Sequence, residues 1–321
     1  MIGYIIRRLL LIIPTLLIVT FITTLAIRLV PGDIIDMKVA LLDYSTTEGI
    51  EAERARIEAS LGLDVPIHIY YVRWMRDLIL HGDLGDSLWQ RTPVTQDILR
   101  RLPITLELGI LAFVIGLLIS FPVGIYSAVR QDTIGDYIAR TVAILCMSLP
   151  TFWVGTMVVV FPSIWWHWSP PIVNIPFFSD PMGNLKMYFL PAAILGMVMN
   201  GVNMRMTRTM MLEVLRQDYI RTAWSKGLKE RVVVYRHALK NAMIPVVTII
   251  GLQIPIIVGG SVIIEQIFCL PGMGRLLLNA AFQRDYTMVV GITFVFCIIV
   301  LLAVLITDLS YAYLDPRIRY K

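Results

Sequence analysis

The segment EVLRQDYIRTAWSKGLKERVVVYRHALKNAMIPVV, from Glu213 to Val247, lies between two apolar runs and decides how the rest of the chain is arranged. Leu212, Leu215, Tyr219 and Ala223 recur at the three- and four-residue steps of one helical face. Gly227 interrupts that face, at a place where a helix end adopts the left-handed conformation other residues resist. A second helical pattern runs through Val232, Tyr235 and Leu239, and Pro245 enters the next apolar run near its first turn, where a missing N–H costs little. Between 205 and 240 stand Arg205, Arg208, Arg216, Arg221, Lys226, Lys229, Arg231, Arg236 and Lys240, opposed only by Glu213, Asp218 and Glu230. Basic segments of this kind stay cytoplasmic because they are poorly translocated.

Outward from this loop the chain is strongly apolar. Of its 321 residues 57% are hydrophobic and 16% charged, with a mean hydropathy of +0.73, far from the usual soluble balance. Six runs have the length of a membrane crossing: about 9–29, 104–129, 140–162, 188–204, 244–264 and 286–309. Arg7 and Arg8 precede the first run, which is too long for a signal peptide and has no A-x-A site after it, so it reads as a retained span. Arg7 and Arg8, Arg130 and Arg140, the 205–240 loop, and Arg317, Arg319 and Lys321 fall on one face when six spans are counted. Both termini are therefore expected inside.

The other face is expected to carry Pro31–Leu102, with twelve acidic against eight basic residues, and a second loop with Trp165, Trp166 and Trp168 at its start and kept irregular by Pro162, Pro170, Pro171, Pro176 and Pro181. Within the first region, Ile50–Ser60 reads as an exposed helix ended by Gly62. Three sections follow: 1–30 with the tail and first span, 31–102 as an extracytoplasmic region, and 103–321 as a five-helix core that includes the loop at 205–243.

Reaction chemistry is missing from the sequence. It has no G-x-x-x-x-G-K-[ST] loop to cradle ATP phosphates and no H-E-x-x-H pair. Leu270-Pro271-Gly272-Met273-Gly274 lacks the third glycine of a dinucleotide turn. Cys146, Cys269 and Cys297 are far apart, without metal spacing. The reading is no cofactor, no metal and no nucleic acid, because the positive charge is explained by topology. Glu107 and Asp308 sit near span ends, either as functional acids or snorkelled to the interface. Asn200, Asn203 and Gln253 either line a solute path or hydrogen-bond between helices. Gly251, Pro255, Gly259 and Gly260 mark either a gating helix or close packing. The basic loop suits docking on a partner protein or lying on anionic lipid.

The loop resembles the EAA loop of ABC-importer permeases in Arg221-Thr222-Ala223, Gly227, and Ile244 with Pro245. Arg221 stands where the generic pattern has an acid, as in the Y-[IV]-R-T-A-x-x-K-G form of the peptide and nickel branch, here Tyr219 to Gly227. Other segments resemble the same branch: Pro31-Gly32-Asp33, Leu61 to Asp64, Gly82 to Ser87, Arg101 to Leu108, Asn241 to Thr248, Pro271 to Gly274 and Asp315 to Arg319. The resemblance implies the six-helix fold of a type I ABC importer permease, with an extracytoplasmic insertion after the first helix. It implies a non-enzymatic subunit of a bacterial or archaeal inner membrane, surrounded by membrane lipid. It further implies a second homologous permease, two cytoplasmic ABC ATPase subunits and an extracytoplasmic solute-binding protein as partners. Tyr219, Arg221, Thr222, Ala223, Lys226, Gly227, Leu228 and Pro245 would then form the ATPase-coupling loop. Dipeptide, oligopeptide, nickel, glutathione and oligosaccharide all remain open as solutes, and a secondary transporter or channel working without ATPases is the rival reading.

Overall fold

The computed structural model describes residues 2–29, 58, 64–171 and 173–314. The expected helix at 50–60, most of the motifs at 31–33 and 61–64, and the motif at 315–319 lie outside those residues. Within them the structure is helical: α1 (Ile2–Leu29), α2 (Ile67–His81), α3 (Val94–Val129), α4 (Ile134–Ser148), α5 (Thr151–Trp166), α6 (Pro181–Leu195), α7 (Met197–Leu215), α8 (Asp218–Ser225), α9 (Glu230–Ile267), α10 (Met273–Phe282) and α11 (Tyr286–Leu314).

Local chemistry sets several of these limits. Thr133 caps α4 by accepting the Asp136 N–H, and Asp180 caps α6 by accepting the Gly183 N–H at 2.9 Å, with Pro181 as the first helical residue. The α9 helix is unbroken over 38 residues, but its turn at Val233–Ala238 is π-helical. Pro245 therefore lies inside α9 and not in its first turn, because the helix starts well before the apolar run does.

The helices α1, α3, α9 and α11 each contain a stretch long and apolar enough to cross a bilayer. The expected third and fourth spans are not straight helices. Each is a bent pair, α4 with α5 at 97° and α6 with α7 at 58°, and counting each pair as one crossing brings the total to six. The first bend falls at Leu149-Pro150, where the proline ring pushes Leu149 out of the helical region to φ −85, ψ 127. At the second, Gly196 lies against the Ala112 carbonyl, and a β-carbon there would approach it to 2.6 Å.

Two compact units divide the chain. One comprises Met1–Ile6, Ile104–Arg275 and Val300–Lys321; the other comprises Arg7–Pro103 and Leu276–Ile299. In the first, α7 packs against both α4 and α9. One of its apolar clusters joins Leu108, Ala112, Tyr188, Ala192, Ile257 and Ile264, and another joins Ile125, Met211, Ile220, Val233 and Ala238. In the second unit, Trp74 is buried between Tyr71 and Phe294, and its indole N–H donates to the Leu84 carbonyl at 3.2 Å. There the Gly82–Ser87 motif meets the start of α11: the Ser87 hydroxyl donates to Asp285 Oδ2 at 2.5 Å, and Asp285 Oδ1 accepts the Met288 N–H at 3.2 Å.

Candidate functional site

The α8–Gly227–α9 element rests on an apolar floor. Ile220 is 0% exposed and Ala223 is buried with it, packed on Met211, Val233, Val234 and Ala238. The buried face differs from the one the spacing predicts. Tyr219 is 44% exposed, and Val232 and Tyr235 also face outward while Val233 and Val234 are buried. Two interruptions account for it: α7 ends at Leu215 before α8 begins at Asp218, so one period does not run through both, and the turn at Val233–Ala238 is π-helical. Its i→i+5 bonds widen the turn and shift which residues share a face, so a 3.6-residue period misassigns them.

The outer side of the element holds most of the residues singled out from sequence. Arg221 lies 3.7 Å from Asp218, with both side chains in solvent, and the Thr222 hydroxyl donates to the Asp218 carbonyl at 3.1 Å. Tyr219 accepts a hydrogen bond from Asn241 Nδ2 at 2.8 Å, tying α8 to α9. Lys226 is exposed, and Leu228 packs partly onto the apolar floor. Gly227 has φ +72, a conformation strained for any residue with a β-carbon, although open space surrounds it. Trp224 is exposed on the same helix and shares neither the apolar spacing nor the charge pattern of the residues singled out from sequence.

Beside this element lies a buried ion pair that loop-charge counting had hidden. Asp136 is 0% exposed and takes two hydrogen bonds of 2.8 Å from Arg208, through Nε and Nη2. The Ser127 hydroxyl, the Asp132 N–H at 3.0 Å and Arg140 at 3.4 Å complete its shell. The carboxylate thus fastens α3, α4 and α7 together.

Further along, Gln253 Nε2 on α9 donates to Asn203 Oδ1 on α7 at 3.1 Å, both buried. Asn200 does not join this pair, and its Oδ1 has no partner. Asn203 Nδ2, Gln253 Oε1 and the buried hydroxyls of Ser120 and Thr207 are also without hydrogen bonds. The glycines near Pro255 divide. A side chain on Gly251 would collide with Thr307, and one on Gly260 would meet Leu195 at 2.9 Å, whereas Gly259 faces open space.

At the far end of α9 the Leu270–Gly274 motif folds over Glu265. That carboxylate is 0% exposed, accepts the Thr105 hydroxyl at 2.7 Å and the Arg275 N–H at 2.9 Å, and the Met273 N–H closes on Thr105 Oγ1 at 2.8 Å. Gly272 lies directly on the Glu265 carboxylate, and a β-carbon on Gly274 would come within 2.5 Å of the Val262 backbone. The two glycines read in the sequence thus serve a close approach to a buried acid. Among the described residues no group of three or more His, Cys, Asp or Glu side chains is placed to hold a metal.

The model of the family described as binding-protein-dependent transport system inner membrane component matches residues 120–320, and the N-terminal model of the same description matches residues 1–109. A putative peptide transport system permease protein of Brucella abortus (strain 2308) is 40% identical over 324 residues, covering 100% of both chains. The dipeptide transport system permease protein of Escherichia coli (strain K12) is 37% identical over 345 residues, and the oligopeptide transport system permease protein of Bacillus subtilis (strain 168) is 37% identical over 325, each again covering 100% of both chains. Among solved structures, a chain of the MetNI methionine ABC transporter in an inward-facing form superposes with a TM-score of 0.56 at 16% identity, covering 69% of this chain and 97% of that one. A chain of an amino acid ABC transporter gives 0.53 at 13% identity, covering 68% and 94%. These likenesses support the helical fold.

Proposed function

The chain belongs to the family of binding-protein-dependent transport system inner membrane components, and on that premise we propose that it is one permease subunit of an ATP-driven importer of di- or oligopeptides. The observation that carries this reading is the end-to-end identity of 37–40% with permeases named for peptide transport. In it, six crossings place both termini and the α8–α9 element in the cytoplasm, with 31–102 outside. A second, homologous permease completes the path, a solute-binding protein delivers to it, and two ATPases drive it.

The α8–Gly227–α9 element is the coupling loop of this reading. An exposed face of Tyr219, Arg221, Trp224 and Lys226 is available to an ATPase, while the buried Ile220 and Ala223 tie the same helix to α7 and α9. Displacing α8 as a rigid body would carry those helices with it, which is how alternating access is driven from outside the bilayer. Asn200, Asn203 and Gln253 would become path-lining on opening, with flexure at Gly251, Pro255, Gly259 and Gly260. The buried Asn203–Gln253 pair fits a closed arrangement.

The test is reconstitution with both permeases, the ATPases and the binding protein in vesicles. Uptake of alanyl-alanine should require ATP and every subunit, and Gly227→Val should assemble at normal stoichiometry yet lose uptake. Uptake by this chain alone on an ion gradient would refute the reading. Full uptake and solute-stimulated ATPase activity in Gly227→Val would refute the coupling assignment.

A further inference from the structure

Near the closed turn of Glu265 lies a second acid whose surroundings differ in kind. Glu107 sits on α3 two residues beyond Thr105, half-buried, with Asn184 of α6 against its carboxylate. Asn184 is 1% exposed and its Nδ2 donates to the Ile175 carbonyl at 2.8 Å. Its Oδ1 has no hydrogen-bond partner, and neither has Glu107 Oε1. Tyr188, one turn along α6, is fully buried, and its hydroxyl donates to Asn174 Oδ1 at 2.9 Å. Among the described residues no cation neutralises Glu107.

A half-buried carboxylate held by one side-chain amide, with one oxygen unbonded and no cation beside it, is unfavourable where water is excluded, so a fold that retains one marks a candidate functional position. The unpartnered atoms here are both acceptors, one of them on a charged group. That combination accommodates a cation bearing several N–H donors, and repels a carboxylate. A bare metal ion is disfavoured, because no third acidic, His or Cys ligand is grouped with it among the described residues. We propose that Glu107 and Asn184 form a subsite for the ammonium group of the solute, the α-ammonium in the case of a peptide. This rests on the peptide-importer reading, and it assigns to the permease a share of the selectivity otherwise left to the binding protein. The α-ammonium of an arriving peptide supplies both the missing charge and the missing donors.

The test uses the complete reconstituted system and two probes, alanyl-alanine and its isostere lactyl-alanine, in which a hydroxyl replaces the amino group. With the same binding protein throughout, Glu107→Gln should lower alanyl-alanine uptake about tenfold or more, the loss expected of a charge-assisted hydrogen bond. It should collapse the preference for alanyl-alanine over lactyl-alanine. Glu107→Asp, which keeps the charge, should stay within about threefold of wild type. Absence of ATP-dependent alanyl-alanine uptake in the wild-type system would sink the importer reading itself. Wild-type uptake with an unaltered probe preference in Glu107→Gln overturns only the subsite. A Glu107→Gln chain that fails to assemble, or loses both probes in equal proportion, overturns it as well, by assigning the carboxylate to the fold.

Discussion

At the Ile267 end of α9 the polar groups turn inward: Glu265 is sealed beneath the Gly272–Gly274 turn, with Thr105 and the Arg275 N–H as its donors. At the Glu230 end they turn outward, with Arg221, Lys226 and Arg231 in solvent over an apolar cluster. The two ends belong to one continuous helix, yet one is finished within the chain and the other leaves its surface available. A self-satisfied end requires nothing from a neighbour. An end with an apolar floor, exposed aromatic rings and exposed cations leaves a face open to solvent, and the buried Asp136–Arg208 pair ties α4 to α7, the helix that contributes Met211 to that floor.

That contrast can be broken most severely at its foundation. Arg208→Ala leaves Asp136 buried without its bidentate partner and should cost about 3–5 kcal/mol, read as a fall in the thermal midpoint of the assembled complex. A loss below about 1 kcal/mol would mean the pair behaves like a surface contact. Next, Gly274→Val forces a side chain into the Val262 backbone and should cost about 1–3 kcal/mol, with solute-stimulated ATPase activity kept in whatever protein assembles. Gly227→Val should cost about 1–2 kcal/mol through left-handed strain but abolish uptake, the reverse balance of stability and function. The smallest effect is expected from Tyr219→Phe. Losing the exposed bond from Asn241 should cost at most about 1 kcal/mol, and Trp224→Ala, at a half-exposed position, should cost a comparable amount while weakening ATPase association. If the two ends answered alike in uptake, the division between a closed end and a docking end would be void.

Composition and spacing encode part of this architecture. Long apolar runs announce crossings, Gly227 announces a helix stop, and the order of the motifs carries the family resemblance. Hydropathy counts apolar residues and is blind to axis direction, so the bends at Leu149-Pro150 and Gly196 were absorbed into single spans. Pro150 was a usable signal, since it sits inside the run expected to be continuous. Counting charges for topology treats every Arg as a loop residue, which concealed Arg208 as half of a buried pair whose acid lies 72 positions earlier. Glu265 fell just beyond the expected fifth span, so the reason for two glycines at 272 and 274 was invisible until the turn closed over it. The candidate site was legible as a segment but not as a surface, because the assignment of faces assumed a regular period.

The π-helical turn at Val233–Ala238 carries a consequence of its own. A wide turn accommodates about one more residue than an α-turn, and each residue of an α-helix advances the azimuth by about 100°. The turn therefore acts as a phase shifter, setting the angle at which the long apolar portion of α9 is keyed to its Glu230 start. Deleting a single residue there would regularise the helix and rotate one portion against the other. With Ile220 and Ala223 still seated on their floor, Gln253 would point away from Asn203, and a push on α8 would reach the membrane in the wrong direction.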